Sequence, residues 1–408
     1  MATSTKPLGG RTAIVGTGSR AAMFVRGIVE RPNSRVVAIC EPNEVRATYY
    51  NKLLQELGAL PVPVYKPEGY VDMLTKEKVE TVVVTCIDAL HDLYIVPALE
   101  AGVNVLTEKP MTTDVEKCRR ILETVNRTGQ HITVTFNYRR WHRQKTNSGG
   151  LMVHKSGHHF DLVNWWLNAE PETVAAMGKL AFYGDENGKR HGWARDYERA
   201  RGAKEAKDDP FAIDLESDET LKSIYADAEK EDGYYRDQNV FAPGIGIEDD
   251  MALLVRYNTG VTMTYHLTAY SPWEGYRVMF NGDQGRLELE VVESQFREVT
   301  DPQLTGGQIH GKAALPNPGE ATIKLHNLWQ EPEFLPIKME HGSHGGGDRR
   351  MLSVLFGPLP GEQVDTGDAS KQGATERDGA LALAVGLLAN ESFKTGAFCH
   401  VRDLAFPL

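Results

Sequence analysis

The stretch Thr12-Ala-Ile-Val-Gly-Thr-Gly-Ser-Arg-Ala21 decides the fold of this 408-residue chain. A short apolar run, Ala13-Ile-Val15, leads into a G-x-G-x-x-A turn that opens a helical pattern. The glycines permit a tight turn, and backbone amides at a helix N-terminus favour a pyrophosphate. The sequence therefore predicts the dinucleotide-binding turn of a Rossmann domain. The residues assigned to cofactor binding on this basis are Gly16, Gly18, Ser19 and Arg20.

An acidic residue stands where such a domain binds the adenosine ribose. Glu41 ends the second predicted strand, 23 residues after Gly18. A carboxylate there accepts hydrogen bonds from a free 2′-hydroxyl and repels a 2′-phosphate. We therefore expect the cofactor to be NAD rather than NADP.

The hydrophobic period changes along the chain, and this change predicts two domains. Short β-branched runs alternate with helical patterns through the first third, which is typical of βαβ units around a parallel sheet. From Asp250 the apolar period is two, with Gly and Asn at the breaks, which predicts antiparallel strands. We expect an α/β protein, with a Rossmann domain over residues 1–139 and a C-terminal α+β domain over residues 140–408. The second domain should contain an open, mostly antiparallel sheet and a solvated polar insertion at about residues 184–243.

Composition excludes several classes of protein. The chain has 45 Lys and Arg against 56 Asp and Glu, a formal charge of −11, and no basic stripe, so a nucleic-acid partner is not expected. No segment approaches the roughly 20 apolar residues that span a bilayer, and the N-terminus lacks a signal-peptide pattern. The four cysteines lie far apart without a Cys-x-x-Cys pair, which favours reduced thiols. We expect a cytoplasmic protein with no membrane partner and no structural zinc.

A helical pattern near residues 150–168 collects the candidate catalytic groups. At roughly 100° per residue, His154, His158 and Asp161 share one face with Trp165, and the apolar residues Phe160, Val163 and Leu167 share the other. Histidine titrates near neutrality, so it suits a general base that removes a hydroxyl proton as hydride leaves carbon. A metal ion held by His154 and His158 is an alternative that we disfavour. His159 points elsewhere on the helix and is interpreted as a structural histidine.

Two further motifs carry a resemblance to a known family. Thr85-Cys-Ile-Asp-Ala-Leu-His91 is followed by Glu108-Lys109-Pro110, and together they resemble the Gfo/Idh/MocA family of NAD(P)-dependent oxidoreductases. The resemblance implies that His91 and Glu108 lie by the nicotinamide ribose and that Lys109 reaches the substrate hydroxyl. It also implies that Phe136-Asn137-Tyr138-Arg139 lies under the nicotinamide, so Asn137 is a further cofactor-binding candidate.

The candidate helix also resembles the family's Asp-x-Gly-x-His-x-x-Asp motif, but with departures. His158 stands at the catalytic histidine and Asp161 at the final acid, whereas His154 stands where many members carry aspartate and Ser156 where they carry glycine. A histidine cannot anchor a neighbouring imidazolium as a carboxylate would, so the proton-relay partner is open. The assigned catalytic residues are Lys109, His158 and His154.

The expected substrate-binding set extends beyond this helix. Sugars are bound by hydrogen-bonding groups and aromatic faces, which Tyr235, Arg236 and His344 could supply beside Lys109, His154, His158 and Asp161. The resemblance implies a helix and a strand, typically some thirty residues, where this chain has only Arg140–Ser148. We therefore expect one edge strand fewer in the second domain, a wider pocket mouth and self-association through the exposed sheet edge.

These motifs favour an NAD-dependent oxidoreductase acting on a secondary alcohol of a sugar, sugar derivative or polyol. Two alternatives stay open. Some relatives cleave glycosides through transient oxidation, elimination, water addition and reduction, and a relative of the same fold serves as a galactose-regulon repressor. The presence of both Lys109 and His158 favours catalysis over a purely regulatory role.

Overall fold

The N-terminal part of the chain alternates strands and helices. The computed structural model describes residues 8–135, 143–294, 321–337, 346–362 and 373–408. The first six strands are β1 (Gly10–Val15), β2 (Ser34–Cys40), β3 (Val64–Tyr65), β4 (Thr81–Val84), β5 (Asn104–Glu108) and β6 (Ile132–Thr135). The helices among them are α1 (Ala21–Val29), α2 (Glu44–Glu56), α3 (Tyr70–Lys76), α4 (His91–Glu100) and α5 (Val115–Thr128).

These six strands form one parallel sheet in the order β3-β2-β1-β4-β5-β6. The predicted Rossmann fold is confirmed. The two-residue strand β3 was not predicted from the sequence. Parallel strands end at the same edge, so Gly16, Glu41, Thr85 and Lys109 all follow strand ends along that edge. The cofactor motifs are thereby brought to one side of the sheet.

In the described residues of the C-terminal part there are eight strands and the remaining helices. The strands are β7 (Pro171–Lys179), β8 (Asp250–Tyr257), β9 (Thr262–Thr268), β10 (Glu274–Asn281), β11 (Gly285–Ser294), β12 (Ala321–Asn327), β13 (Glu333–Leu335) and β14 (Cys399–His400). The helices are α6 (Lys145–Ser148), α7 (Leu151–His154), α8 (Gly157–Leu167), α9 (Asp185–His191), α10 (Glu219–Leu221), α11 (Glu229–Asp232), α12 (Gly347–Phe356) and α13 (Glu376–Thr395).

The antiparallel character of this part is confirmed, but its strands divide between two sheets. One sheet has the order β14-β7-β8-β9 and the other β10-β11-β12-β13. On the outer side of β7, only Cys399 and His400 pair with it among the described residues. The predicted shortage of edge strand and the self-association that would follow from it stay predictions.

Helix α13 joins the two domains. Thr375 and Asp378 form a capping box at its N-terminus, and Gly396 ends it in a left-handed conformation. Ala380 and Leu383 pack in the core of the parallel sheet, whereas Val385 packs with strands of the antiparallel sheet. One buried helix therefore packs in both hydrophobic cores.

The polar insertion differs from the sequence-based expectation. Its charge runs are not simply solvated, because Glu229 and Asp209 are buried in ion pairs with Arg199 and Arg195. Residues 213–236, which we call the strap, pack against the Rossmann domain. The strap residues in that core are Leu215, Leu221, Ile224, Tyr225 and Ala226. Its apolar residues are spaced too irregularly for a periodicity argument to identify a packed face.

The candidate catalytic helix is also broken, which a single helical pattern did not predict. The amides of Lys155 and Ser156 both donate to the Leu151 carbonyl, at 2.8 and 3.1 Å, so the helical hydrogen-bond pattern slips there. His154 therefore ends α7, while His158 and Asp161 belong to α8. Phe160 is buried and Trp165 is exposed, as the predicted faces require. No helix in the described part of the chain is long and apolar enough to cross a membrane.

Candidate active site

The phosphate-binding turn has the open geometry that a dinucleotide requires. Gly16 has a φ of +80°, and a Cβ at this residue would lie 2.5 Å from the Cα of Cys86, so only glycine fits. A Cβ on Gly18 would meet only the Tyr225 hydroxyl, 3.6 Å away. The second glycine thus leaves space above the turn for a phosphate group.

Glu41 lies beside this turn with its carboxylate already oriented. Its Oε2 accepts hydrogen bonds from the Thr17 amide at 2.7 Å and the Thr17 hydroxyl at 2.8 Å. Its Oε1 accepts from the Asn43 amide at 3.0 Å. The acid is buried and linked to the turn, as a ribose-binding acid would be.

Glu108 and Arg20 form a buried ion pair at the same edge of the sheet. Arg20 Nε donates to Glu108 Oε1 at 2.6 Å, and the Arg20 guanidinium also pairs with Asp348 at 3.2 Å. Glu108 Oε2 is buried and has no hydrogen-bond partner among the residues that the structure describes. A ribose hydroxyl could donate to this oxygen, so the residues present fit a nicotinamide dinucleotide.

His91 connects two of the loops at this edge. Its Nδ1 lies 3.0 Å from the Pro110 carbonyl oxygen, and its Nε2 lies 3.3 Å from the Cys86 carbonyl oxygen. The side chain is fully buried. The structure therefore gives His91 an orienting role, and its contact with the cofactor stays a prediction.

Lys109 joins the Rossmann domain to the candidate catalytic segment. Its side chain is 1% exposed, and its Nζ donates to the His154 carbonyl oxygen at 2.7 Å. Its ammonium also lies near enough to His158 and His159 to lower the pKa of both imidazoles. The tertiary structure thus brings together the lysine and the histidines that the sequence placed about 45 residues apart.

Asp88 is a site residue that the sequence analysis missed. Its Oδ2 lies 2.6 Å from His154 Nδ1, and both side chains are fully buried. His154 cannot act as the carboxylate partner of a neighbouring imidazole, as an aspartate would. Instead, His154 is itself paired with a carboxylate, that of Asp88 in the loop after β4. Asp88 lies within the quoted Thr85–His91 motif, but nothing in its spacing indicated the contact.

His158 and His159 lie side by side on α8, with ring centroids 3.9 Å apart. Burial is the largest cause that lowers the pKa of His158 well below 6.5, followed by His159 and Lys109. Its Nδ1 is buried without a hydrogen-bond partner among the described residues. At neutral pH this imidazole is therefore uncharged and can accept a proton.

His159 has the environment of a structural histidine. Its Nδ1 lies 2.8 Å from the Tyr265 hydroxyl, which donates in turn to Ser156 Oγ at 3.0 Å. Burial first, and then the ammonium groups of Lys155 and Lys109, lower the pKa of His159 to about 4. Lys155, buried at 7% exposure, is a second residue that the sequence did not single out.

Asp161 is partly buried on α8 and faces a second carboxylate. Burial, and then the Asp378 carboxylate, raise the pKa of Asp161 to about 7. A carboxyl group that titrates near neutrality can exchange a proton under physiological conditions. Its contact with a substrate stays a prediction.

The remaining candidates separate from this cluster. Tyr235 is 43% exposed and lies under the Arg199 guanidinium. Arg236 lies over the Tyr225 ring, with 4.5 Å from its Cζ to the ring centroid, on the side of the phosphate-binding turn. Asn137 and His344 lie outside the described residues. Within the described part of the chain, no group of three or more His, Cys, Asp or Glu side chains could hold a metal ion.

This arrangement defines an oxidoreductase with an NAD(P)-binding Rossmann domain, and comparison with known proteins gives its family. Residues 10–136 match "Oxidoreductase family, NAD-binding Rossmann fold", and residues 122–314 match "Oxidoreductase family, C-terminal alpha/beta domain". The chain belongs to the Gfo/Idh/MocA oxidoreductase family.

Individual relatives extend the comparison over most of the chain. The Bacillus subtilis protein YteT, described as an oxidoreductase, is 30% identical over 84% of this chain and 87% of its own length. An alpha-N-acetylgalactosaminidase of Bacteroides fragilis is 28% identical over 31% of this chain and 30% of its own. The aldose-aldose oxidoreductase from Caulobacter crescentus superposes with a TM-score of 0.56 at 13% identity, covering 96% of this chain and 99% of that one. The last comparison supports the fold alone.

Proposed function

We propose that this protein is an NAD-dependent oxidoreductase that transfers hydride between the nicotinamide and a secondary alcohol of a sugar, sugar derivative or polyol. The observation that carries the proposal is that Lys109 lies close to both His154 and His158. This cluster lies at the edge of the parallel sheet where the cofactor motifs are found. An ammonium group and imidazoles in one buried cluster suit removal of a hydroxyl proton.

The cofactor supplies the hydride acceptor, and the chain supplies its orientation and the proton chemistry. Glu41 would bind the adenosine ribose, and the buried Oε2 of Glu108 would accept from the other ribose. The anionic Glu41 carboxylate favours NAD over NADP, because a 2′-phosphate beside it would be repelled. Arg20 would hold Glu108 in place through its 2.6 Å contact.

On the substrate side, Lys109 would hold the reacting hydroxyl and His158 would take its proton. The low pKa of His158 keeps it neutral at physiological pH, but it also makes the imidazole a weak base. The Asp88–His154 pair is the second candidate for the proton acceptor, because a carboxylate at 2.6 Å fixes the tautomer and stabilises an imidazolium. Asp161 would provide a further polar contact to the sugar.

A redox-neutral glycosidase is the second candidate function. The alpha-N-acetylgalactosaminidase relative is 28% identical to this chain over 129 residues. Oxidation of a sugar alcohol makes the neighbouring carbon acidic, so the same site could permit elimination before hydride is returned. A non-catalytic regulatory protein is disfavoured because Lys109 and His158 are both present and lie in one cluster.

A substrate screen would test the proposal. Free sugars, polyols and aryl glycosides would be incubated with the protein and NAD, and both NADH absorbance and released aglycone would be recorded. Net NADH formation supports the dehydrogenase, whereas aglycone release without net NADH supports the glycosidase. A Lys109→Ala variant is the control for contaminating activity, and absence of both signals across the screen would contradict catalysis on sugars.

We also propose a cytoplasmic location, a small-molecule carbohydrate as the partner, and a homo-oligomer formed through the C-terminal sheet. The exposed side of β7, where only two residues pair among those described, supports the last point. Sedimentation velocity at several concentrations would test it, since a monomer at all concentrations would contradict self-association.

A further inference from the structure

The strap, residues 213–236, leaves the C-terminal domain and lies on the nucleotide-binding domain. Leu221 and Ile224 are buried in the same core as Ile14 and Phe24. Residues 222–226 form a single π-helical turn, a departure from α-helix that often occurs at functional sites. The strap is mostly polar, and a small group of apolar residues packs it against the Rossmann domain.

The strap is anchored to the residues that follow Glu41. Asn43 Nδ2 donates to the Ala228 carbonyl oxygen at 2.9 Å, and Arg46 Nε donates to the Ile224 carbonyl oxygen at 2.8 Å. The Arg46 guanidinium also pairs with Asp232 at 2.5 Å. These contacts place the strap directly beside the acid that is expected to bind the adenosine ribose.

Tyr225 extends from the strap to the phosphate-binding turn. Its hydroxyl oxygen accepts from the Ser19 amide at 3.2 Å and lies 3.2 Å from Ser19 Oγ. It is also the atom nearest to a Cβ built on Gly18. The Tyr225 hydroxyl therefore lies beside the turn, within reach of a phosphate group bound there.

Arg236 lies on the other face of this tyrosine. Its guanidinium is 4.5 Å from the Tyr225 ring centroid and hydrogen-bonds to the Tyr234 hydroxyl. Its Nε is buried and has no hydrogen-bond partner among the described residues, and no described carboxylate pairs with the guanidinium. A partly buried cation without a counter-charge is costly, so an anion is expected beside it.

We propose that the strap is part of the cofactor site, that Arg236 binds the pyrophosphate of the dinucleotide, and that the closed strap makes the cofactor leave slowly. The pyrophosphate is the anion that the turn at the N-terminus of α1 would hold, one tyrosine ring from Arg236. Arg236 is thereby assigned to the cofactor rather than to the sugar. This inference rests on the dinucleotide-binding part of the proposed function and is independent of the substrate.

Titration calorimetry with ADP-ribose and with adenosine would test the assignment, because only ADP-ribose carries the pyrophosphate. We expect Arg236→Gln to weaken ADP-ribose binding by about 10–100-fold, the usual worth of a charge-assisted hydrogen bond, and to leave adenosine binding unchanged. Arg236→Lys, which keeps the charge, should recover part of the loss. In stopped-flow displacement, NADH should dissociate at least about 10-fold faster from Arg236→Gln than from the wild-type protein.

Arg199→Gln is the matched control, because Arg199 also belongs to the insertion and stacks at 4.5 Å on a tyrosine, Tyr235. An equal loss in Arg199→Gln would show that only the folding of the insertion matters and would overturn the assignment. Unchanged ADP-ribose binding in Arg236→Gln would overturn it too. A loss confined to 2′-phospho-ADP-ribose would place Arg236 at the ribose phosphate instead and reject the pyrophosphate. None of these measurements uses a sugar, so failure of the substrate screen is a separate result.

Discussion

The carboxylate of Asp88 lies 2.6 Å from Nδ1 of His154, and this contact crosses from the Rossmann domain to the first turn of the candidate catalytic segment. Both side chains are fully buried. Because Asp88 fixes the donor tautomer at Nδ1, the lone pair of the imidazole is placed on Nε2. The site therefore contains an acid–imidazole pair, although position 154 itself carries histidine rather than the aspartate found in many relatives.

This contact predicts that Asp88 positions His154 for proton transfer. We expect Asp88→Asn to lower kcat by roughly 10–100-fold, because an amide neither stabilises an imidazolium nor enforces the tautomer. The measurement is steady-state kinetics on the substrate that the screen identifies, with NAD affinity measured separately by calorimetry. NAD affinity should be unchanged, since the Asp88 carboxylate is directed at His154.

Asp88→Glu is the conservative variant for this test, and it should recover more of kcat than Asp88→Asn does. A change in KM alone, or equal activity of the two variants, would argue for a merely structural contact.

Lys109 and His158 are predicted to act in one transition state. Lys109→Ala and His158→Ala should each slow hydride transfer by roughly 10²–10⁴-fold, with NAD affinity nearly unchanged. The double variant should lose much less than the product of the two single losses, because both groups act on one hydroxyl. Single-turnover reduction of bound NAD at one pH would measure all three rates.

Fully multiplicative losses would show that Lys109 and His158 act independently. Unimpaired single variants would move the chemistry to His154, and His159→Ala, which removes an imidazole bonded to Tyr265, is the control within the same cluster.

The pH dependence of hydride transfer should reflect Asp161 rather than His158. Burial and the nearby cationic groups lower the pKa of His158 well below 6.5, so His158 stays neutral through pH 6–8. The pKa of Asp161 is about 7, so an inflection in that range is expected from this carboxyl. In Asp161→Asn the single-turnover rate should then be flat between pH 6 and 8. A remaining inflection near pH 6.5 in this variant would contradict the assignment.

The ionisation of Asp161 should also lower the free energy of unfolding as pH rises. Its pKa is raised from 3.8 to about 7 on folding, so its favourable contribution is complete below about pH 4 and is lost as pH rises through 7. Replacing it with Asn should stabilise the protein relative to wild type by about 1–3 kcal/mol more at pH 8 than at pH 5.

Urea unfolding at the two pH values would measure the effect of Asp161→Asn. Asp72→Asn, at an exposed carboxylate paired with Lys76, is the control and should show no such difference. An identical effect of Asp161→Asn at both pH values would contradict the prediction.

Glu41 should determine the choice of cofactor. We expect NAD(H) to bind at least about 10-fold more tightly than NADP(H). Glu41→Ala should weaken NAD binding and reduce the ratio of the NAD affinity to the NADP affinity. Calorimetric titration with both cofactors would measure it. Glu44→Ala removes an exposed neighbouring carboxylate paired with Lys66 and should leave the ratio unchanged. Equal affinities of the wild-type protein for the two cofactors would refute the prediction.

The local parts of the fold could be predicted from the sequence because they depend on short-range patterns. Buried β-branched runs predicted strands β1, β2, β4, β5 and β6, and a period of two predicted β8 to β11. The turn after β1 needs glycine because Cys86 approaches Gly16 closely. The glycine motif in the sequence therefore reflects a tertiary contact. The break between α7 and α8 was missed, because the hydrophobic period alone continues through it.

By itself, the sequence determined the Rossmann domain, the position of its cofactor turn and His158 as a candidate, and its resemblance to the family added Lys109. Only the tertiary structure decided which distant groups meet there. Asp88 and His154 are 66 residues apart, Ser19 and Tyr225 are 206 apart, and Arg20 and Asp348 are 328 apart. Local periodicity records which face of an element is buried, but not which element covers it. Those pairings depend on how the strap, α7 and α12 pack across the edge of the parallel sheet, and that packing is a property of the whole chain.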